Sequence, residues 1–181
     1  WLPVDRQSTG VPLPYGIEIT PDGKAWFARL HTDEIGNIDP ATGKVVVGLT
    51  SGFGFTRKCA IASTVAHDSH HMIVVGTDEE SMALAANELV KCGGGQVVVL
   101  DGNVIGLVEL QIAGLMSIER ADVVAKKAAT VLEGFKLCGS ELNNPNMQLS
   151  LLALVVIPEL RISDKGLVDV TQFDFIPVLE D

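Results

Sequence analysis

Four residues that could carry chemistry are packed into five positions of the sequence: His67, Asp68, His70 and His71. Imidazole and carboxylate groups can bind zinc or iron, and they can transfer protons. Three interpretations stay open: a self-contained metal site, a loop that completes an active site formed with another domain, and a polar turn whose side chains bond to the backbone. A complete metal site would need a further ligand, and His31 is the only other histidine.

The segments on either side of this cluster predict strands and a helix that must position it. CAIASTV and MIVVG are short apolar runs typical of buried strands. TDEESMALAANELVKC reads as one helix, with Thr77 as N-cap and Glu80 completing a capping box. The three glycines at 93–95 are predicted to end this helix. A phosphate-binding role is disfavoured, because the glycines follow the helix and anions bind at helix N-termini. Its predicted buried face consists of Met82, Ala85, Ala86 and Leu89.

The C-terminal half predicts a hairpin, a second long helix and a further strand pair. QVVVLDGNVIGLVEL has an Asp-Gly turn between two apolar runs. A helix over about 118–137 follows, with Ser117 as N-cap and a buried stripe of Val123, Val124, Ala128, Val131 and Leu132. MQLSLLALVV fits a helix or a buried strand equally well, and we expect 149–157 to be core. LRIS and LVDV flank a charged turn that includes Asp164.

The first 45 residues contain four short strand-like segments separated by Pro-Asp-Gly and Pro-Ala-Thr-Gly turns. They predict a short β-meander over 1–47, followed by a second unit over 48–181. The predicted fold class is therefore α/β: a mixed sheet covered by two long amphipathic helices, with a short N-terminal β-meander.

Composition excludes several classes of function. The chain has 13 basic and 23 acidic residues and a formal charge of −10, so it lacks the basic face that a nucleic acid polymer needs. No apolar run reaches membrane-spanning length. The three cysteines are widely spaced and form no C-x-x-C pair, which predicts buried free thiols. Together with the absence of a signal peptide at the N-terminus, this predicts a cytoplasmic protein.

Four blocks in fixed order carry a resemblance to a known family: CAIASTVAHDSHHMIVVGTDEESMALAANEL, GGGQVVVLDG, LQIAGLMS and VIPELRISDKGLVDV. Over about residues 48–180 the chain resembles the C-terminal domain of bacterial and archaeal adenine deaminases, members of the amidohydrolase superfamily. It departs from the family pattern at His71, Gln111 and Cys59, where Asn, Pro and Gly are usual. Residues 1–45 look more like one blade of a virginiamycin B lyase-type propeller.

The resemblance implies hydrolysis of adenine to hypoxanthine and ammonia. In that family iron, manganese or zinc sits in a (β/α)₈ barrel that precedes this domain. The chain has no H-x-H motif, and it is too short for a barrel of about 250 residues. Its expected partners are therefore the missing barrel and, through it, adenine. The isolated chain is expected to be inactive, with no bound cofactor.

Within this interpretation His67, Asp68 and His70 are candidates for a composite active site, and His71 is expected to matter least. A different class of function stays open: a non-catalytic binding or assembly module. The oligomeric state is also open, with a homo-oligomer among the alternatives.

Overall fold

The computed structural model describes residues 18–19, 25–26, 34–38 and 45–177 of the 181-residue chain. The strands within these ranges are β1 (Glu18–Ile19), β2 (Ala25–Trp26), β3 (Glu34–Ile38), β4 (Val45–Leu49), β5 (Cys59–Ser63), β6 (Met72–Gly76), β7 (Gly95–Leu100), β8 (Asn103–Glu109), β9 (Leu160–Ser163), β10 (Gly166–Asp169) and β11 (Asp174–Ile176). The helices are α1 (Glu79–Cys92), α2 (Ala121–Leu137) and α3 (Pro145–Leu151).

Six strands form the central sheet, in the order β4-β3-β6-β5-β7-β8. Every described pairing in it is antiparallel, so the α/β class is confirmed with an antiparallel sheet. β5 and β6 are buried along their whole length, because helices cover both faces. The predicted hairpin is confirmed: β7 and β8 are joined by Asp101 and Gly102, both at positive φ, as a two-residue turn requires.

Helix α1 covers one face of the sheet with the residues that the sequence indicated. Met82, Ala85, Ala86 and Leu89 are fully buried against β5, β6 and β7. Gly93 ends the helix in the left-handed conformation, with φ +81°. The predicted N-cap was wrong by one residue. Asp78 caps the helix by accepting a hydrogen bond from Ser81 N (2.9 Å), because the Thr77 hydroxyl is already bonded to strand β5.

Helix α2 covers the other face, but its first turn and buried stripe differ from prediction. It begins at Ala121 after Arg120, so Ser117 is not its N-cap. Its fully buried positions are Val131, Gly134 and Phe135, whereas Leu132 is 42% exposed. The helix turns this side to the sheet because Gly134 lets it approach closely: a Cβ there would lie 3.0 Å from Val98.

The ambiguous apolar segment begins as a helix. Residues 145–151 form α3, with Pro145 in its first turn and Leu149 buried on the α2 side of the sheet. The expectation that 149–157 is all core was wrong, since Val156 is 68% exposed. The chain leaves the core in the turns after α3 and then enters β9. None of the helices that the structure describes is long and apolar enough to span a bilayer.

The N-terminal strands do not all stand apart from the main sheet. β1 pairs only with β2 among the described strands, but β3 pairs with both β4 and β6. The boundary drawn after residue 47 therefore falls inside β4, and both β3 and β4 belong to the six-stranded sheet. A separate unit for the residues before β3 stays a prediction.

Strands β9, β10 and β11 form a second, three-stranded antiparallel sheet. The predicted LRIS and LVDV pair is confirmed within it. β9 and β10 lie next to β4, so this small sheet continues the domain beyond one edge of the large one.

Candidate functional site

One end of the central sheet gathers three connections that are distant in sequence. Ser63 pairs with Gln96, and Gly95 pairs with Glu109. The loop after β5 (64–71), the turn before β7 (93–95) and the loop after β8 (110–118) therefore lie side by side. We call them the histidine loop, the glycine turn and the 110–118 loop.

Thr64 joins all three connections at the base of the histidine loop. Its backbone N–H donates to Gly95 O (2.9 Å). Its hydroxyl donates to Gly114 O (2.6 Å) and accepts from Gly95 N (2.8 Å). The close fit depends on glycine, since a Cβ on Gly94 would lie 2.5 Å from the Gly114 Cα. The histidine loop therefore starts from a fixed point.

The histidine loop above Thr64 presents its polar side chains to solvent. It is closed by His70 N donating to Ala66 O (2.6 Å) and held from below by His67 N donating to Ser150 Oγ of α3 (3.2 Å). His67 Nδ1 lies 2.5 Å from Asp68 Oδ1, and these side chains are 46% and 74% exposed. His70 is also exposed, with φ +54°. Of the proposed site residues, the structure thus pairs His67 with Asp68.

The pair is an ion-pair contact between exposed side chains on one loop. A carboxylate next to Nδ1 can orient an imidazole and leave Nε2 to exchange a proton with another molecule. The polar-turn alternative predicts a buried His67 and Asp68 with backbone partners. The observed side chains are exposed instead.

His71 differs from the other three because its side chain is half-buried. Its Nδ1 lies 3.9 Å from Asp164 Oδ1 and has no hydrogen-bond partner. In the sequence, Asp164 stands out only as part of a charged turn. Their proximity could not be predicted, because it depends on how the three-stranded sheet sits beside β3 and β4.

The 110–118 loop is apolar, exposed and internally bonded. Ile112 and Met116 exchange two backbone hydrogen bonds of 2.9 and 3.1 Å. Gln111 Oε1 accepts from Ile118 N (3.4 Å). Ile112, Met116 and Ile118 are exposed, with Ile118 at 72%, whereas Leu110 and Leu115 are half-buried. The loop therefore holds a fixed apolar surface next to the histidine loop.

Comparison with known proteins assigns this arrangement to a family. The model of the adenine deaminase C-terminal domain matches residues 37–174. The chain belongs to this family. The match begins inside β3, in agreement with the place of β3 and β4 in the central sheet.

Full-length relatives lead to the same family. The chain is 59% identical to adenine deaminase 3 of Rhizobium meliloti (strain 1021) over 139 residues, which are 77% of this chain and 23% of the relative. It is 58% identical to the adenine deaminase of Paracoccus denitrificans (strain Pd 1222) over 177 residues, or 98% of this chain and 29% of the relative. The chain therefore spans about a quarter of the length of the curated relatives it matches.

The second alignment also bears on the N-terminal residues. Because it covers 98% of the chain, it runs through nearly all of residues 1–45. The weaker resemblance of that stretch to a propeller blade is not supported. These residues align with adenine deaminase like the rest of the chain.

The described residues contain no set of side chains that could hold a metal ion by itself. No three His, Cys, Asp or Glu side chains in the part of the chain that the structure describes come close enough to hold one. His67 and Asp68 supply two ligands at most, and a structural zinc site normally has four. His31 lies outside the described residues.

Lys127 of α2 fixes the base of the 110–118 loop. Its ammonium group lies 2.6 Å from both Glu109 and Glu119, one at each side of the loop. The hydrogen bond from Lys127 lowers the pKa of the Glu109 carboxyl, and the two carboxylates raise the pKa of Lys127. The sequence does not reveal this ion-pair triad, because the helix periodicity marks Lys127 only as polar.

None of the three cysteines forms a disulfide. Cys59 and Cys138 are buried, as predicted, and Cys92 is half-buried. A hydrogen bond with the Cys59 side chain lowers the pKa of Cys138, whereas burial raises the pKa of Cys92. Both Cys59 and Cys138 lie on the α2 side of the sheet, away from α1.

Proposed function

We propose that this domain acts as part of an adenine deaminase, which hydrolyses adenine to hypoxanthine and ammonia. In this proposal a separate catalytic domain supplies the metal-bearing barrel. The end of the sheet that carries the histidine loop and the 110–118 loop faces that barrel. The fixed, exposed apolar surface of the 110–118 loop supports this orientation, because such surfaces on soluble domains mark contacts with other protein.

His67, Asp68 and His70 then complete the active site. The observation that carries this proposal is the exposed His67–Asp68 pair, held on a loop whose base is fixed by Thr64. Asp68 orients the imidazole at Nδ1, and Nε2 exchanges a proton with substrate or leaving group. His70, on the same loop, donates a hydrogen bond to the bound purine.

The metal belongs to the barrel in this proposal, and the domain described above contributes no ligand to it. Iron, manganese or zinc there would activate the attacking water. Cys59, Cys92 and Cys138 form no disulfide, which fits a reducing compartment, so we propose a cytoplasmic enzyme.

Ammonia release from adenine tests whether this domain needs the separate catalytic domain for activity. We expect the 181-residue chain alone to show no turnover above background with iron, manganese or zinc, while the complete enzyme that contains it is active. Sustained metal-dependent turnover by the chain alone would contradict the composite site. Inactivity of the complete enzyme on adenine would favour a binding or assembly module instead.

A further inference from the structure

A second exposed apolar surface is formed by the three-stranded sheet and the segment that precedes it. Its largest member is Phe173, which is 86% exposed in the turn between β10 and β11. Leu160 pairs with Asp169, which pairs in turn with Asp174, so the β10–β11 turn lies beside the start of β9. The hydrogen bond from Val170 N to Glu159 O (2.9 Å) ties the turn to the segment before β9. We call Val155, Val156, Ile157, Leu160 and Phe173 the Phe173 patch; each is exposed by more than a third.

The backbone holds Phe173 outward at some cost. Its φ is +54°, a left-handed conformation that bulky residues rarely adopt. Asp169 stabilises the turn that imposes it. The Asp169 carboxylate accepts hydrogen bonds from Thr171 N (2.8 Å), Thr171 Oγ1 (2.6 Å), Gln172 N (3.2 Å) and Gln172 Nε2 (2.6 Å). An exposed aromatic ring on a turn this well bonded is pre-organised as an anchor for a protein contact.

We propose that the Phe173 patch docks against the part of the same enzyme that lies outside this chain. The inference rests on the proposed function, since it needs the adenine deaminase to be longer than this domain. The chain spans only 23–29% of its relatives, so a large partner surface is available within one polypeptide.

Charge favours this occupant over a second copy of the domain. Exposed carboxylates of Glu159 and Asp174 flank the patch. The nearby Arg161 guanidinium is engaged with Pro158 O and Leu160 O, at 2.6 Å each. A two-fold contact would bring two acid-flanked patches together, on chains that each carry a charge of −10. The occupant should therefore present an apolar pocket with a basic rim.

Hydroxyl-radical footprinting of the complete enzyme tests the contact without any substitution. After correction for intrinsic reactivity, we expect Phe173 to react roughly tenfold more slowly than Leu132, because an interface core excludes water. Leu132 is a matched control: it is exposed on α2 and lies outside the patch. A Phe173 that reacts like a free surface phenylalanine would overturn the proposal.

A substitution separates the two occupants. In the complete enzyme, Phe173→Asp should increase the reactivity of Val156 and Leu160 roughly tenfold without changing the molar mass in solution. A fall in molar mass to that of a smaller oligomer would assign the patch to a second copy and overturn the proposal. If Phe173→Asp does not fold, Phe173→Leu is used instead, and Val156 and Leu160 should stay protected in it. Loss of their protection in Phe173→Leu would also contradict the contact. Adenine turnover is measured on the same samples. An active enzyme with an unprotected Phe173 would contradict only the docking of the patch. An inactive enzyme with a protected Phe173 would contradict only the proposed function.

Discussion

The two ends of the central sheet are formed by the same strands, but their polar groups differ in bonding and exposure. At the end of the Asp101–Gly102 hairpin, Thr77 bonds to Cys59 and Arg57, and the Arg57 side chain pairs with Asp101. At the other end Thr64 makes a similar set of bonds, but the loop above it leaves histidine and aspartate in solvent. A threonine therefore anchors each end, and the histidine loop at one end also exposes imidazole and carboxylate side chains to solvent. In the proposed function, the histidine-loop end carries the chemistry and the hairpin end contributes to stability alone.

The largest effect expected from testing this comparison is on stability. Gly94→Ala would drive a Cβ to 2.5 Å from the Gly114 Cα, at a φ of +117°. We expect a loss of about 3 kcal/mol in unfolding free energy, from overpacking and backbone strain together. The matched control is Gly102→Ala at the other end, where φ is +76° and nothing lies within 4 Å. It should cost only about 1 kcal/mol. If urea unfolding shows that both variants lose the same unfolding free energy, the glycine turn is not tightly packed.

Substitutions of Thr64 and Thr77 separate the effect of each threonine on stability from its effect on activity. Thr64→Val and Thr77→Val each remove a half-buried hydroxyl with several backbone partners, so each should cost about 1–3 kcal/mol. In the complete enzyme only Thr64→Val should also lower kcat for adenine, because it frees the histidine loop. A similar fall in kcat for Thr77→Val would remove the distinction between the ends.

A smaller effect is expected from the ion-pair triad at the 110–118 loop. Lys127 lowers the pKa of Glu109 below its ordinary value of 4.5. A lowered folded pKa stabilises the protein above the unfolded pKa, and this contribution is lost as pH falls through the folded value. Glu109→Gln should therefore lower Tm at pH 7, and the difference from wild type should shrink below about pH 4.5. A difference that stays constant or grows on acidification would contradict the role of Lys127. Glu133→Gln, with its carboxylate 3.6 Å from Lys136 on the exposed side of α2, serves as the control.

Local signals in the sequence predicted most elements but not their mutual contacts. The Asp-Gly turn, the glycines after α1 and the apolar face of α1 depend on neighbouring residues, and they were predicted correctly. Helix starts were less accurate: Thr77 and Asp78 are both good caps, and the choice between them depends on strand β5. The exposure of Val156 was also missed, because apolar content alone does not distinguish core from contact surface.

The candidate site shows the same limit. The histidines stand out in the sequence because three of four are clustered. The Thr64–Gly114 bond and the Lys127 triad join residues 50, 18 and 8 positions apart. Such pairs are set by strand register and helix rotation, which no short motif encodes. The pairing of His67 with Asp68 needed the loop conformation as well.

In the proposed composite site His67 acts in chemistry and not in folding, and His67→Ala in the complete enzyme tests this role. Both kcat for adenine and the free energy of unfolding are measured, with the neighbouring exposed Ser69→Ala as control. We predict that kcat falls about a hundredfold or more, as for loss of a proton-transfer group. Unfolding free energy should change by no more than about 0.5 kcal/mol, as for an exposed side chain. An unchanged kcat in a well-folded His67→Ala enzyme would contradict the account.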